Sequence, residues 1–412
     1  MNTEKRNRVA FDSNNAVLGV ILFLLSFNFK NKFYILFLAF VAVYFLFHPN
    51  LKFTSKCGYR IALLFCFSAV YLFTISQTTT LSAAKIVVVM SLPIAYYIGY
   101  SINSYRKHSN WKTPVYIVIT GVALHGVLNL LTNFTRLSAG ARATIDFWTG
   151  EEVLMTTQIA LFILIAGCSY YIFFTLKFDQ SPFLKSFFIF LFICAVIFNT
   201  LGATRTVIYS IALNLLCCYI VILFVYKKNL TQALRFVFLF IFTVGAVWIV
   251  WFFNIFNIRT LLESTPLFQR ILILDNLESN NMDLRGVQII EALSQVFIRP
   301  WGGETMEFSE HWDFIHNMWL NVAYYAGLIP CVLLFIYCLS VLKDSWKLLK
   351  IGAKQEDSIF VLGMYVAILL YWMIEPVFEA VTFIVTLFCF INGVVQRRVE
   401  NISIEEMNMQ NC

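Results

Sequence analysis

Charge is what this sequence has least of. Only 13% of its 412 residues are charged, while 60% are hydrophobic. An ordinary soluble domain carries about 25% charged residues. That shortfall excludes a water-soluble enzyme, a disordered chain and a collagen-like or coiled-coil rod. Histidine is scarce too, with five in the chain. No HExxH, CxxC or DxD pattern occurs, so no familiar metal framework is written into the sequence. The ten cysteines are scattered, most of them inside apolar runs such as Cys168, Cys217, Cys218 and Cys389, where they serve as small apolar fillers. No small-residue cleavage site follows the first apolar run, so the N-terminal segment reads as a retained helix. No basic patch lies in a soluble-looking stretch, which excludes nucleic acid as a partner. The chain does not divide into two similar halves, as many secondary transporters do.

What is present is apolar length. The mean hydropathy is +0.76, and there are 43 phenylalanines. Continuous apolar segments of about 17–25 residues match the thickness of a bilayer. The expected fold is therefore an all-α polytopic membrane protein. About twelve spans can be marked, near 15–29, 33–48, 59–76, 82–102, 113–132, 153–176, 184–200, 206–226, 232–254, 316–342, 358–375 and 377–395. Lys30-Asn31-Lys32 either separates the first two spans or lies within a re-entrant pair. Basic residues fall in alternate loops: Lys52 and Lys56, Arg106 and Lys107, Lys227 and Lys228, Lys343 and Lys347, then Arg397 and Arg398. By the positive-inside rule those loops are cytoplasmic, as are the N-terminal tail (1–14) and the C-terminal tail (396–412).

Two segments on the opposite side are long. One runs from Asn133 to Glu152. The other, residues 255–315, separates spans 1–9 (15–254) from spans 10–12 (316–395). A non-spanning segment of that size points to a functional element. Within it, Leu284, Val287, Ile290, Leu293 and Phe297 recur at helical spacing, and Pro300, Gly302 and Gly303 break the pattern. A short amphipathic helix at the outer membrane surface is expected.

Polar residues at this outer level are the candidates for chemistry. Arg205 sits between two spans with almost no loop, and charge at that depth is costly. Arg285 opens the amphipathic segment. Two guanidinium forks match the oxygens of a diphosphate, and Arg142 is a third cation on this side. His316 stands where the long segment meets the tenth span, placed to take a proton from a hydroxyl. Asn317 beside it would orient it or bind a sugar. Trp301, with Trp148, Trp312 and Trp319, forms either an interfacial aromatic belt or a sugar-stacking surface. Glu375 and Glu379 flank the outer turn of the last two spans, and Glu379 is the one expected to face a polar cavity. A cation held by His311, His316 and the acidic residues from Glu304 to Asp313 is the rival reading.

The stretches Ala203-Thr-Arg-Thr206, Arg285, Pro300-Trp-Gly-Gly303 and Ile315-His-Asn-Met-Trp319, the last running on to Gly327-Leu-Ile329, occur in one order on one side. Together they resemble the O-antigen ligase/polymerase superfamily. Arg142 and the Ile145-to-Gly150 stretch look most like its O-antigen and capsule polymerases. The resemblance implies a GT-C-type glycosyltransferase of the bacterial inner membrane with its site on the periplasmic side. It would polymerise undecaprenyl-diphosphate-linked oligosaccharide units, with a chain-length regulator and a flippase as partner proteins. It implies His316 as acceptor base, Arg205 and Arg285 on the donor diphosphate, and no metal or other cofactor. Transfer of the glycan to lipid A-core, as in the ligases, is the alternative reading. A lipid-linked sugar flippase is the reading outside enzymes.

Overall fold

In lipid a backbone N–H finds no water, so long apolar runs close their own hydrogen bonds as helices. A computed structural model of the chain describes residues 13–48, 53–77, 80–102, 111–138, 144–177, 179, 181–224, 252–269, 281–302, 315–350 and 355–410, with isolated positions between 238 and 249. The helices are α1 (Ser13–Ser26), α2 (Phe33–Phe47), α3 (Ser55–Ser76), α4 (Ala83–Ile102), α5 (Thr113–Ser138) and α6 (Met155–Gly167), the last continued by a wide turn at Tyr171–Thr175. Next come α7 (Pro182–Leu201), α8 (Thr206–Phe224), a short α9 (Ile258–Glu263) and α10 (Asn281–Ile298). The chain ends with α11 (Met318–Ala326), α12 (Leu328–Lys350), α13 (Gln355–Ile374), α14 (Val377–Ala380) and α15 (Thr382–Gln410). A two-stranded hairpin, β1 (Thr144–Ile145) and β2 (Glu152–Val153), pairs Thr144 with Val153 and Ile145 with Glu152.

Among the described residues, nine helices are long and apolar enough to cross a membrane. The protein is an all-α, multi-pass membrane protein. Helices α1 and α2 are shorter than those nine, and the turn between them contains Asn28, Lys30 and Asn31 at positive φ. Most of the ninth expected span, 232–254, lies outside the described residues. The tenth, expected as one run from 316 to 342, is two helices. Gly327 at φ 90° parts α11 from α12, because that backbone cannot continue a right-handed helix. The last helix continues past the expected boundary at 395 to Gln410. Two of its polar residues beyond that boundary are paired: Arg398 meets Asp357, and Glu400 accepts the Tyr100 hydroxyl at 2.6 Å.

Helix contacts in a bilayer rest on close packing, since lipid is as apolar as leucine. The α4–α15 crossing shows this. A Cβ at Gly99 would overlap the carbonyl oxygen of Phe390, and one at Gly393 that of Tyr96. Near the far end of α12, Arg60 of α3 is 1% exposed and donates to Asp344 at 2.6 Å and to Gln396 of α15 at 3.2 Å. Lys56 also pairs with Asp344. This buried network ties α3, α12 and α15 together at the end of the bundle opposite His316.

Candidate functional site

The site is built where α6, α11 and α13 meet. Glu375 follows the last turn of α13 and is buried. The Thr156 hydroxyl, in the first turn of α6, donates to its Oε2 at 2.8 Å. The Tyr371 hydroxyl donates to the Thr156 carbonyl at 2.7 Å and fixes that turn against α13. His316 lies just before α11, with Nδ1 3.4 Å from the same Glu375 oxygen. Its ring is 20% exposed and the carboxylate 7%, so the pair sits at the edge of the packed interior. The carboxylate stands at ion-pair distance from the imidazole, a placement from which a carboxylate can orient a general base.

The neighbouring residues hold His316 in register. The Asn317 side chain caps α11 by accepting from the Leu320 N–H at 3.1 Å, and its amide donates to the Met373 carbonyl at 3.2 Å. Asn317 is therefore engaged at both ends and binds α11 to α13. The backbone N–H of His316 points to Oε1 of Gln288 on α10 at 3.4 Å. Arg285 belongs to that same helix, one turn before Gln288. Its side chain lies outside the described residues, as do Arg142 and the stretch from Gly303 to Phe314 that holds His311 and Trp312. Among the described residues there is no group of three or more His, Cys, Asp or Glu side chains close enough to hold a metal ion.

The turn after α10 packs against the break between α11 and α12. Gly302 at φ 67° lies against Gly327, where a Cβ would meet the backbone of Trp301 at 2.6 Å. The Leu328 N–H donates to the Pro300 carbonyl at 2.8 Å. The break in the tenth expected span therefore receives the Pro-Trp-Gly turn, and two glycines are needed because two backbones touch there.

Arg205 stands at the same end. After α7 the chain turns through Gly202 and Ala203, the latter at φ 52°, and Thr204 bonds back to Asn199. The Arg205 carbonyl accepts the Tyr209 N–H at 2.9 Å, so Arg205 begins α8. Its side chain is half-buried. A Cβ at Gly202 would meet Met155 Cε at 3.2 Å, and Met155 adjoins the Thr156 that holds Glu375. One chain of contacts thus links the Arg205 turn, α6, Glu375 and His316. A guanidinium at a helix N-terminus adds its charge to unpaired backbone N–H groups, a setting that favours anions.

The segment 133–152 is held by a ladder not singled out in the sequence. His125, Asn129 and Asn133 recur every four residues on α5 and face the hairpin. His125 Nε2 lies 2.8 Å from Asp146 Oδ2. Asn129 accepts from the Phe147 N–H at 2.8 Å, and Asn133 accepts from the Ile145 N–H at 2.7 Å. Burial pushes the Asp146 carboxyl up. The His125 hydrogen bond and charge, with the Trp148 and Thr149 N–H groups, outweigh this and hold it below the usual carboxylate range. Trp148 packs edge-on against Phe27 and Phe29 and donates to the Phe27 carbonyl at 3.4 Å. It is a packing residue, and Trp319 is likewise set edge-on to Trp372. Trp301 is exposed.

Of the two glutamates flanking the last turn, Glu375 meets His316. Glu379 belongs to α14, and its side chain lies outside the described residues. Pro376 ends the run of α13, and Glu375, the residue before it, is left turned toward α6. No family model matches this chain, and no curated protein matches it either.

Proposed function

We propose that this protein is a GT-C-type membrane glycosyltransferase that joins undecaprenyl-diphosphate-linked oligosaccharide units into a polysaccharide on the outer face of a bacterial cytoplasmic membrane. The observation that carries the reading is the ion-pair contact of His316 with Glu375, which Thr156 holds by a hydrogen bond, at one end of an apolar bundle. The acceptor hydroxyl gives its proton to His316 Nε2, while Nδ1 keeps its hydrogen toward Glu375. The hydroxyl oxygen then bonds to the donor's anomeric carbon as the bond from that carbon to the diphosphate breaks. The lipid diphosphate departs with the electron pair. Arg205 and Arg285 take up its charge, so no metal is required in this scheme. General-base help of this kind contributes about 10²–10⁴ in rate, and preorganised cations at the leaving group contribute further. The loops with basic residues then face the cytoplasm, as do both termini.

The test is direct. Purified protein is incubated with a lipid-diphosphate-linked repeat unit without added metal, and the products are run on a gel. A ladder is expected from the wild type. His316→Ala should abolish the ladder while donor binding survives. Transfer only when lipid A-core is supplied would replace polymerase by ligase. Binding with no transfer to any acceptor would refute the enzyme.

A further inference from the structure

Helix α10 divides its surface into three. A narrow inward stripe of Gln288, Ala292 and Val296, spaced by four, is buried against Ile315, Ala323 and Tyr324. Gln288 is only 1% exposed. A polar edge carries Glu291 and Gln295, followed by the exposed Arg299 just past the helix end. Opposite the buried stripe lies a broad exposed arc of Val287, Ile289, Ile290, Leu293, Phe297 and Ile298, with Ile290 at 68% and Phe297 at 75% exposed. An apolar arc of that width facing water would be strongly unfavourable. The polar edge excludes a helix surrounded by lipid on every free side. One boundary satisfies both faces, the interface between headgroups and acyl chains.

The position of the arc identifies what covers it. The turn after α10 is bound to the start of α12 through Pro300 and Leu328. The next residue, Ile329, begins an exposed stripe continued by Val332, Phe335 and Leu339 on a helix long enough to span. The arc of α10 therefore ends beside an exposed apolar stripe on a helix long enough to span. We infer that α10 lies in the plane of the membrane interface with this arc in the acyl chains of bilayer lipid, and that its seat is transmitted to His316 through Gln288. The lipid seat stands or falls independently of the transfer reaction.

Trp301, 74% exposed at the end of α10, reports the depth of the helix. Wild-type protein and Trp301→Phe are placed in phosphatidylcholine vesicles with and without brominated acyl chains. The difference between the two proteins isolates the Trp301 signal. Quenching of that signal by the brominated chains is expected. It should be lost in the double variant Ile290→Asp/Phe297→Asp, whose changes lie on exposed positions. Quenching by aqueous iodide with none by brominated lipid would overturn the seat, since the arc would then be in water. Hydrogen exchange reads the link. In the double variant the amides from Ile315 to Leu320 should exchange faster. Unchanged exchange there, with the Trp301 signal lost, would overturn the transmission to His316.

Discussion

Replacing Glu375 by Gln removes one charge at the relay while keeping the side-chain volume and an oxygen to accept the Thr156 hydroxyl. Proton uptake turns His316 into a cation with Nδ1 3.4 Å from Glu375 Oε2. Two unit charges at that distance attract by about 5 kcal/mol at an effective dielectric constant of about 20. The ring is 20% exposed, and water at that edge weakens the interaction. About 3 kcal/mol remains after that screening, which is about 10²-fold in rate at 1.36 kcal/mol per decade. His316→Ala removes the base itself and should cost about 10³–10⁴. Because Glu375 acts through His316, the double variant should be no slower than His316→Ala alone. The assay is the initial rate of sugar transfer with saturating lipid-linked donor, with donor binding measured separately. Losses that multiply in the double variant would refute the relay. So would a Glu375→Gln enzyme with wild-type turnover.

Four further outcomes follow from the same geometry. Arg205→Lys should lower turnover by about 10–100-fold, since a bidentate charged hydrogen bond is worth about 1.5–3 kcal/mol and an ammonium cannot reproduce the fork; unchanged rates would mean that Arg205 only reaches toward water. Asp344→Ala leaves the buried Arg60 guanidinium without its counter-charge and should destabilise by about 3–5 kcal/mol in detergent-solubilised thermal unfolding, with much of that recovered in Arg60→Met/Asp344→Leu. Gly302→Ala forces a side chain into left-handed backbone at φ 67° and onto Gly327; a loss of at least about 1–2 kcal/mol is expected, read as a lower melting temperature. Asp146, held below its ordinary range, stabilises the folded protein fully above the unfolded carboxylate range, and that contribution is lost as pH falls through the folded value. Thermal stability should therefore drop on acidification toward pH ~3, and Asp146→Asn should be less stable at neutral pH with a flatter acid limb.

Much of the architecture is legible in the chain because bilayer thickness leaves few choices. An apolar run of sufficient length becomes a helix wherever it is placed, so α3 to α8 lie where hydropathy puts them. The amphipathic helix of the long segment 255–315 is also readable, since spacing alone produces it. Polar positions are different. His125, Asn129 and Asn133 carry a readable signal, a spacing of four within an apolar run, yet their partners lie across a turn. Arg60 and Asp344 are far apart in sequence, and neither position names the other.

The sequence by itself determined a helical membrane protein, the approximate position of many of its helices, and the arginines and histidine near the span ends as candidates for chemistry. Hydropathy and charge placement are local properties, and a bilayer reads them locally. Only the tertiary structure decided that Glu375 joins His316, that Asn317 is occupied in capping α11 and tying it to α13, and that Trp148 is packed into the bundle. It also decided that the tenth apolar run divides at Gly327, because the Pro300–Gly302 turn must lie against bare backbone there. These outcomes depend on contacts between residues distant in the chain, and no local pattern specifies which distant neighbour a side chain will meet.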